Sequence, residues 1–281
     1  DATVVKLERN YRSTQTILDA AQKVIEKNQQ RKDKALWTEA GPGDKITVFE
    51  ANNEREEADQ VVREIRERER AGTPRRDVVV LYRTNAQSRV IEERLMQASI
   101  PYRIVGGVRF YERKEIKDIL AYLTALHNPN DAQAFKRIIN TPTRGIGPKA
   151  VQVLVDTANR QGVSLSNVIR NSDEAKELAP GSRKAVQRFA ELYAQLADTA
   201  ARETVDVLID EVIKRTGYAQ WIDDGSVEAA ARLENLAELN SVAKRYEHLK
   251  GEEALSVFLE DVALITDVDT YDETADAVTL M

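Results

Sequence analysis

The hydrophobic period of the chain changes at Gly106-Gly107, and this change limits the architectures open to it more than any other feature. Before it, apolar residues come in short runs separated by helical stretches. Asp77-Val-Val-Val-Leu-Tyr82 is nearly all apolar and rich in β-branched residues, the pattern of a central strand buried on both faces. A helix over Ala86–Ala98 leads to Pro101 and a short strand, Tyr102–Val105. Strand–helix–strand alternation implies a parallel, doubly wound α/β layer. After Gly107 the spacing becomes helical from Glu112 to about Leu264. Stripes recur at Ile116, Ile119, Leu120 and Leu123, at Val151, Leu154 and Val155, at Phe189, Leu192, Tyr193 and Leu196, at Val205, Leu208, Ile209 and Val212, and at Leu233, Leu236, Leu239 and Val242. Breaks fall at Asn128-Pro129, Thr141–Gly147, Ala179-Pro-Gly181, Gly217 and Gly225. Ala277–Met281 returns to strand character. The expected organisation is therefore an incomplete α/β lobe over residues 1–110 and 276–281, with an all-α domain at 111–275 inserted into it. Two chain crossings, near Gly107 and Ala275, would form a hinge.

The first part adds detail to the lobe. Ser13 reads as the N-cap of a helix carrying Ile17, Leu18, Ala21, Val24 and Ile25. Gly41-Pro-Gly43 is a turn, and Lys45-Ile-Thr-Val-Phe49 a strand. Asn53 to Arg70 is a highly charged helix with a thin stripe of Ala58, Val61, Val62 and Ile65, ended by Gly72-Thr-Pro74.

Composition excludes several functions. With 281 residues, the chain is long enough for about two domains. No apolar run reaches the ~18 residues of a membrane span. Cysteine is absent, so there is no disulfide, thiol nucleophile or thiolate metal site. Only His127 and His248 are present, far apart, which argues against zinc chemistry and a Ser-His-Asp triad; no metal site is expected in the chain itself. The chain opens on Asp1, with neither a starting Met nor an apolar leader, and stops in an apolar run, so it reads as part of something larger. The net charge of −6 hides an asymmetry: Arg75–Lys149 carries 14 basic and 7 acidic residues, a balance of +7, while Glu252–Asp276 holds 9 acids and no Lys or Arg. A chain divided in this way can present a basic face to phosphates.

No phosphate loop of the form GxxxxGK[ST] is present. Gly145-Ile-Gly147-Pro-Lys149 has the wrong spacing and is followed by Ala150, and no apolar strand ends in a paired Asp-Glu. The parts that hold a nucleoside triphosphate and its magnesium are lacking. Asn10-Tyr11-Arg12-Ser13 heads the first helix. Tyr11 offers an aromatic face and Arg12 a planar cation, which together could stack a base and clamp a phosphate. Taken alone, the same residues also make a capped helix with an interfacial tyrosine.

Three segments together carry a family resemblance: Asn10-Tyr-Arg-Ser13, Leu81-Tyr-Arg83-Thr-Asn85-Ala-Gln87-Ser-Arg89, and Ile100–Asp118 with its Gly106-Gly107-Val-Arg-Phe110-Tyr111-Glu-Arg113-Lys-Glu-Ile-Lys-Asp118. In order and over the whole chain, they resemble superfamily 1A DNA helicases of the UvrD/PcrA/Rep family. The resemblance implies an incomplete RecA-like second motor lobe and the domain inserted into it, from a cytoplasmic ATP-dependent 3′-to-5′ helicase of repair and replication. It implies that Tyr11 stacks on adenine and that Arg12 acts as an arginine finger at the γ-phosphate. Delivered from the opposite lobe, such an Arg completes charge stabilisation only when the lobes close. Arg83 and Asn85, just after a strand's carboxyl end, would touch single-stranded DNA. Arg89 is read as a solvated helix charge.

Thr141-Pro-Thr-Arg144-Gly145-Ile146-Gly147-Pro148-Lys149 resembles the family's GIG motif, which implies contact with the duplex backbone. Glycines admit a phosphate closely, the following helix offers free N–H groups and its positive end, and Arg144 and Lys149 add charge. An ordinary helix–helix turn is the plainer alternative. ATP and magnesium would be used by the parent protein, and neither would be bound by this chain alone. The expected partners are DNA, as single strand and as single/double-strand junction, the missing first motor lobe, and repair or transcription proteins, with no membrane. Two alternatives remain: a non-catalytic regulatory module acting through a protein partner, and part of a related helicase–nuclease.

Other features read more plainly. Gly181-Ser-Arg183-Lys184-Ala185-Val186 echoes Gly147–Val151 but is better read as a capped helix start. Trp37 and Trp221 are packing residues, and Glu56-Glu57 and Asp223-Asp224 solvated faces. Arg232–Leu239 has a core leucine stripe, with no role for its polar residues. Glu252–Asp276 is a flexible return linker.

Overall fold

In the computed structural model the described residues are 7–28, 35–105, 107–267 and 276–281. They divide into two units, Asp1–Asn53 and Glu54–Met281, each taken by itself below.

In the first unit, α1 spans Gln15–Ile25. Its N-cap is Thr14 rather than Ser13, and no side chain caps it. Asn10 performs the local task instead: its Oδ1 accepts 2.8 Å hydrogen bonds from the N–H groups of Arg12 and Ser13. Arg9 and Trp37 form an isolated parallel bridge, with the Asn10 N–H donating to the Trp37 carbonyl at 2.8 Å. The expected Gly41–Gly43 turn forms. Gly43 has φ +69°, and a Cβ there would lie 2.5 Å from the Thr14 side chain, so both backbone and space demand glycine. The strand expected at Lys45–Phe49 does not form: Ile46, Val48 and Phe49 are 53%, 87% and 46% exposed. β-propensity alone makes no strand without a ladder partner, and this segment finds none among the described residues. Of the α1 stripe only Leu18 is buried; Ile17, Val24 and Ile25 are exposed.

The second unit contains a three-stranded sheet: β1 (Val79–Val80), β2 (Tyr102–Ile104) and β3 (Val278–Leu280), all parallel, in the order β1-β3-β2. The central place goes to β3, whose three residues are all buried. The Asp77–Tyr82 run, expected at the centre, lies at an edge, with Val79 50% and Leu81 73% exposed. Val78, Val80 and Tyr82 face inward, so the run behaves as a half-buried strand with a neighbour on one side. Helices α2 (Glu54–Arg70) and α3 (Ser88–Gln97) pack on one another, and Ile65 and Leu95 join Ile100, Tyr102, Val278 and Leu280 in a small core.

A separate, larger core is almost entirely helical and runs from Phe110 to Val262, with Ile146, Ala175 and Leu178 added from connecting loops. It is built from α4 (Lys114–His127), α5 (Ala132–Ile138), α6 (Pro148–Gln161), α7 (Leu165–Arg170), α8 (Pro180–Ala200), α9 (Val205–Thr216), α10 (Tyr218–Ile222), α11 (Val227–Ala243) and α12 (Gly251–Asp267). The expected stripes are its interior: Ile116, Ile119, Leu123, Leu154, Leu196, Ile209 and Leu239 are fully buried. α4 lies at the middle, touching α5, α8, α9, α11 and α12. Asp131, Ser164 and Ser226 cap α5, α7 and α11, each accepting from a backbone N–H of the first turn. Much of the acidic stretch expected as a linker is α12, because Ala254, Leu255, Phe258 and Val262 recur at helical spacing and are buried. Residues 268–275 of that stretch lie outside the described residues.

Candidate functional site

Three groups of candidate residues take shape. In the first unit the Asn10 turn fixes the backbone at the entrance to α1 and leaves Tyr11 82% exposed, with Arg12 also exposed. The Arg9 guanidinium lies 4.8 Å from the Tyr11 ring centroid and 5.5 Å from that of Trp37. Glu39 pairs with the same guanidinium. Tyr11 is thus backed on one side by a held cation, with Trp37 beyond it. Sequence reasoning gave Trp37 only packing and passed over Arg9; an aromatic residue 28 positions away offers no local signal.

In the second unit, Arg83 and Asn85 are exposed on the loop that follows β1. Gln87 shapes this loop: its Oε1 accepts hydrogen bonds from the N–H groups of Arg83 at 2.9 Å and Thr84 at 3.1 Å. Gly107 lies beside it, and a Cβ at that position would come 3.9 Å from Asn85 Oδ1. Beneath the loop is a buried polar cluster that the sequence reading missed. Arg89, expected as a solvated charge, is 7% exposed and pairs with Glu93 and, across 149 positions, with Glu238 of α11. Asn235, to which no role was given, is 4% exposed and joins Arg113 to Glu115. Asn235 and Glu238 are polar residues set among the leucines of α11, and that is the only sequence signal they gave.

The third group is Thr141–Lys149, between α5 and α6. Asn140 Oδ1 accepts from the Arg144 N–H at 2.8 Å and the Ile146 N–H at 3.2 Å, and Ile146 is buried. Gly145 has φ +82°, a conformation glycine adopts without strain. Gly147 is the N-cap of α6 and Pro148 its first residue, where a missing N–H costs nothing. Lys149 is exposed. The Arg144 guanidinium turns inward: Nη1 donates to the carbonyls of Ile138 at 2.9 Å and Pro142 at 3.1 Å, and Nη2 to the Tyr122 hydroxyl at 2.5 Å. That hydroxyl donates to the Thr141 carbonyl at 2.6 Å. Burial pushes the Tyr122 pKa up to about 12, with Arg144 acting against it. Arg183, at the echo of this loop, likewise points its guanidinium at carbonyls, those of Ala175, Lys176 and Leu178.

The basic stretch Arg75–Lys149 is therefore open only in part: Arg83, Lys117, Lys136 and Lys149 are exposed, while other cations are engaged within the protein. Arg75, Arg89, Arg94 and Arg137 are ion-paired with Glu69, Glu93, Asp59 and Asp118, and Arg113 and Arg144 are held internally. Among the described residues no group of His, Cys, Asp and Glu is placed to hold a metal ion, and no helix is long and apolar enough to cross a membrane.

The sequence profile described as the UvrD-like helicase C-terminal domain matches residues 5–281. The chain belongs to this helicase C-terminal domain family. It is 42% identical over 287 aligned residues to ATP-dependent DNA helicase PcrA of Staphylococcus epidermidis, and equally so to that of Staphylococcus aureus. Each alignment covers 100% of this chain and 39% of the relative, so the chain spans about two fifths of the length of these helicases.

Proposed function

We propose that this chain is the C-terminal motor part of an ATP-dependent 3′-to-5′ DNA helicase, with residues 1–110 and 276–281 as the second motor lobe and 111–275 as a helical domain inserted into it. The observation that carries the reading is the presentation of Tyr11 and Arg12. A fixed turn holds the backbone of both while neither side chain packs into a core. Tyr11 is the residue that would stack on adenine, and Arg12 the cation that would meet the γ-phosphate when a nucleotide-binding lobe closes on it. The donor set here does not suit magnesium, because among the described residues no group of three or more carboxylates or imidazoles is placed to hold a metal ion; nucleotide and metal would be held by the rest of the longer protein. Arg83 and Asn85 would contact the single strand. At the duplex, Thr141, Gly145, Ile146 and Gly147 would offer backbone and Lys149 charge, while Arg144, engaged with three oxygens, would hold the loop rather than the phosphate. DNA, ATP and the first motor lobe are the partners this reading requires.

The test has two arms. The 281-residue chain alone should show no DNA-stimulated ATP hydrolysis. In the longer protein, Arg12→Ala should cut kcat by roughly 10³-fold or more while nucleotide binding falls far less. Robust turnover by the chain alone, or a normal kcat in the Arg12 variant, would overturn the assignment.

A further inference from the structure

Ser88 opens α3 directly after the loop that carries Arg83 and Asn85, and it is fully buried. Its hydroxyl lies 3.0 Å from the Asn85 carbonyl and 2.5 Å from Glu92 Oε1, and it accepts a 3.0 Å hydrogen bond from Arg113 Nη2. Arg113 Nη1 donates at 2.7 Å to Asn235 Oδ1 on α11, and the Asn235 amide donates at 2.5 Å to Glu115 on α4. Arg113 is 6% exposed and so out of reach of any DNA. The loop, the start of α4 and the middle of α11 are thus joined through one guanidinium.

We propose that Arg113 is a positioning residue for the Arg83–Asn85 loop, tying it through Ser88 to Asn235 and so holding it in the conformation that receives a single strand. This rests on the reading that Arg83 and Asn85 touch that strand. A guanidinium reaches two acceptors at a fixed angle, as here; an ammonium cannot span both. Without the tie the loop samples other conformers, and apparent affinity falls with the competent fraction. The number of phosphates met in the bound state does not change, so the salt dependence stays the same.

The experiment measures binding of a fluorescein-labelled oligothymidylate to the full chain across a salt series, with thermal melting alongside. Ser88→Ala and Arg113→Lys should each weaken binding roughly 3–10-fold with the wild-type salt slope. Arg83→Ala should weaken it and lower the slope by about one. In an Arg83→Ala/Asn85→Ala background, Ser88→Ala should add little, because neither strand-contacting side chain is left to position. Wild-type affinity in Ser88→Ala and Arg113→Lys would overturn the proposal and leave the single-strand reading standing. So would an equal Ser88→Ala loss with and without Arg83 and Asn85. Wild-type binding and slope in Arg83→Ala would overturn the single-strand reading, and the positioning role with it. Should Arg113→Lys fail to fold, Ser88→Ala, a one-atom change, decides.

Discussion

Arg89 and Glu93 lie one turn apart on α3 and form a 2.6 Å ion pair, each side chain less than a tenth exposed. Glu238 meets the same guanidinium, and the Tyr111 hydroxyl donates to Glu93 at 3.1 Å. Removing Arg89 leaves the buried Glu93 with only the Tyr111 hydroxyl and the more distant Arg245, at 3.4 Å, and breaking a buried pair typically costs about 3–5 kcal/mol. Arg89→Ala should therefore lower stability by about 3 kcal/mol, read from urea unfolding followed by helical circular dichroism. A loss below about 1 kcal/mol would show that the pair is solvated like an ordinary surface pair.

Glu92 gives a pH dependence of known sign. Burial raises its pKa above the ordinary 4.5, and the Ser88 hydroxyl, Arg113, the Phe110 N–H and the Tyr102 hydroxyl offset this only in part. A carboxyl whose folded pKa is raised destabilises the fold as it ionises. The cost is absent below the unfolded value and grows as pH rises through the folded one. Glu92→Gln should gain stability relative to wild type as the pH rises from about 4 to 8. A stability difference that stays flat over that range counts against this account.

The Thr141–Lys149 loop separates its two cations. Arg144→Ala removes donors from two carbonyls and from Tyr122, and should cost about 1–3 kcal/mol. Lys149→Ala, at an exposed site, should stay within about 0.5 kcal/mol. For duplex DNA the order should reverse in character: Lys149→Ala lowers the salt slope, whereas Arg144→Ala lowers affinity through the loop. Equal melting temperatures for the two variants would refute the division.

Asp276 accepts from the N–H groups of Arg75 at 3.1 Å and Arg76 at 2.8 Å, and these bonds lower its pKa. Its contribution is therefore present above the ordinary carboxylate range and is lost as pH falls through the lowered value. In Asp276→Ala, hydrogen exchange at the Arg75 and Arg76 amides should speed up at neutral pH and match wild type in acid. Unchanged protection at neutral pH would show that the amides are held by something else.

Periodicity made the helical core readable: Ile116, Ile119 and Leu123 repeat at 3.6 and are all buried. Strands were less legible, because a strand exists only with a partner. Lys45–Phe49 has the residue types and no ladder among the described residues, while Val278–Leu280, expected as a strand, took the central place that the Asp77–Tyr82 run was expected to hold. At the sites, the family resemblance picked out Tyr11, Arg12, Arg83 and Asn85, all of them exposed, and said nothing of where long side chains turn. Arg89 and Arg144 share a residue type with Arg83, yet both are held inside by partners up to 149 positions away. Such pairing is decided by tertiary packing and leaves no local trace.

The placement of β3 bears on how the molecule comes into being. Among the described residues, β1 and β2 are joined only through residues 278–280, pairing Val79 with Thr279 and Tyr102 with Val278. During synthesis both outer strands emerge early and have no neighbour to complete them until the whole helical core has been made. The small sheet therefore closes by contacts of very long sequence separation, the slow kind. A ribosome-bound intermediate from which residues 276–281 have not yet emerged would carry a folded helical core beside two strands still waiting for their shared neighbour, the state in which chaperone capture or mispairing is most easily caught.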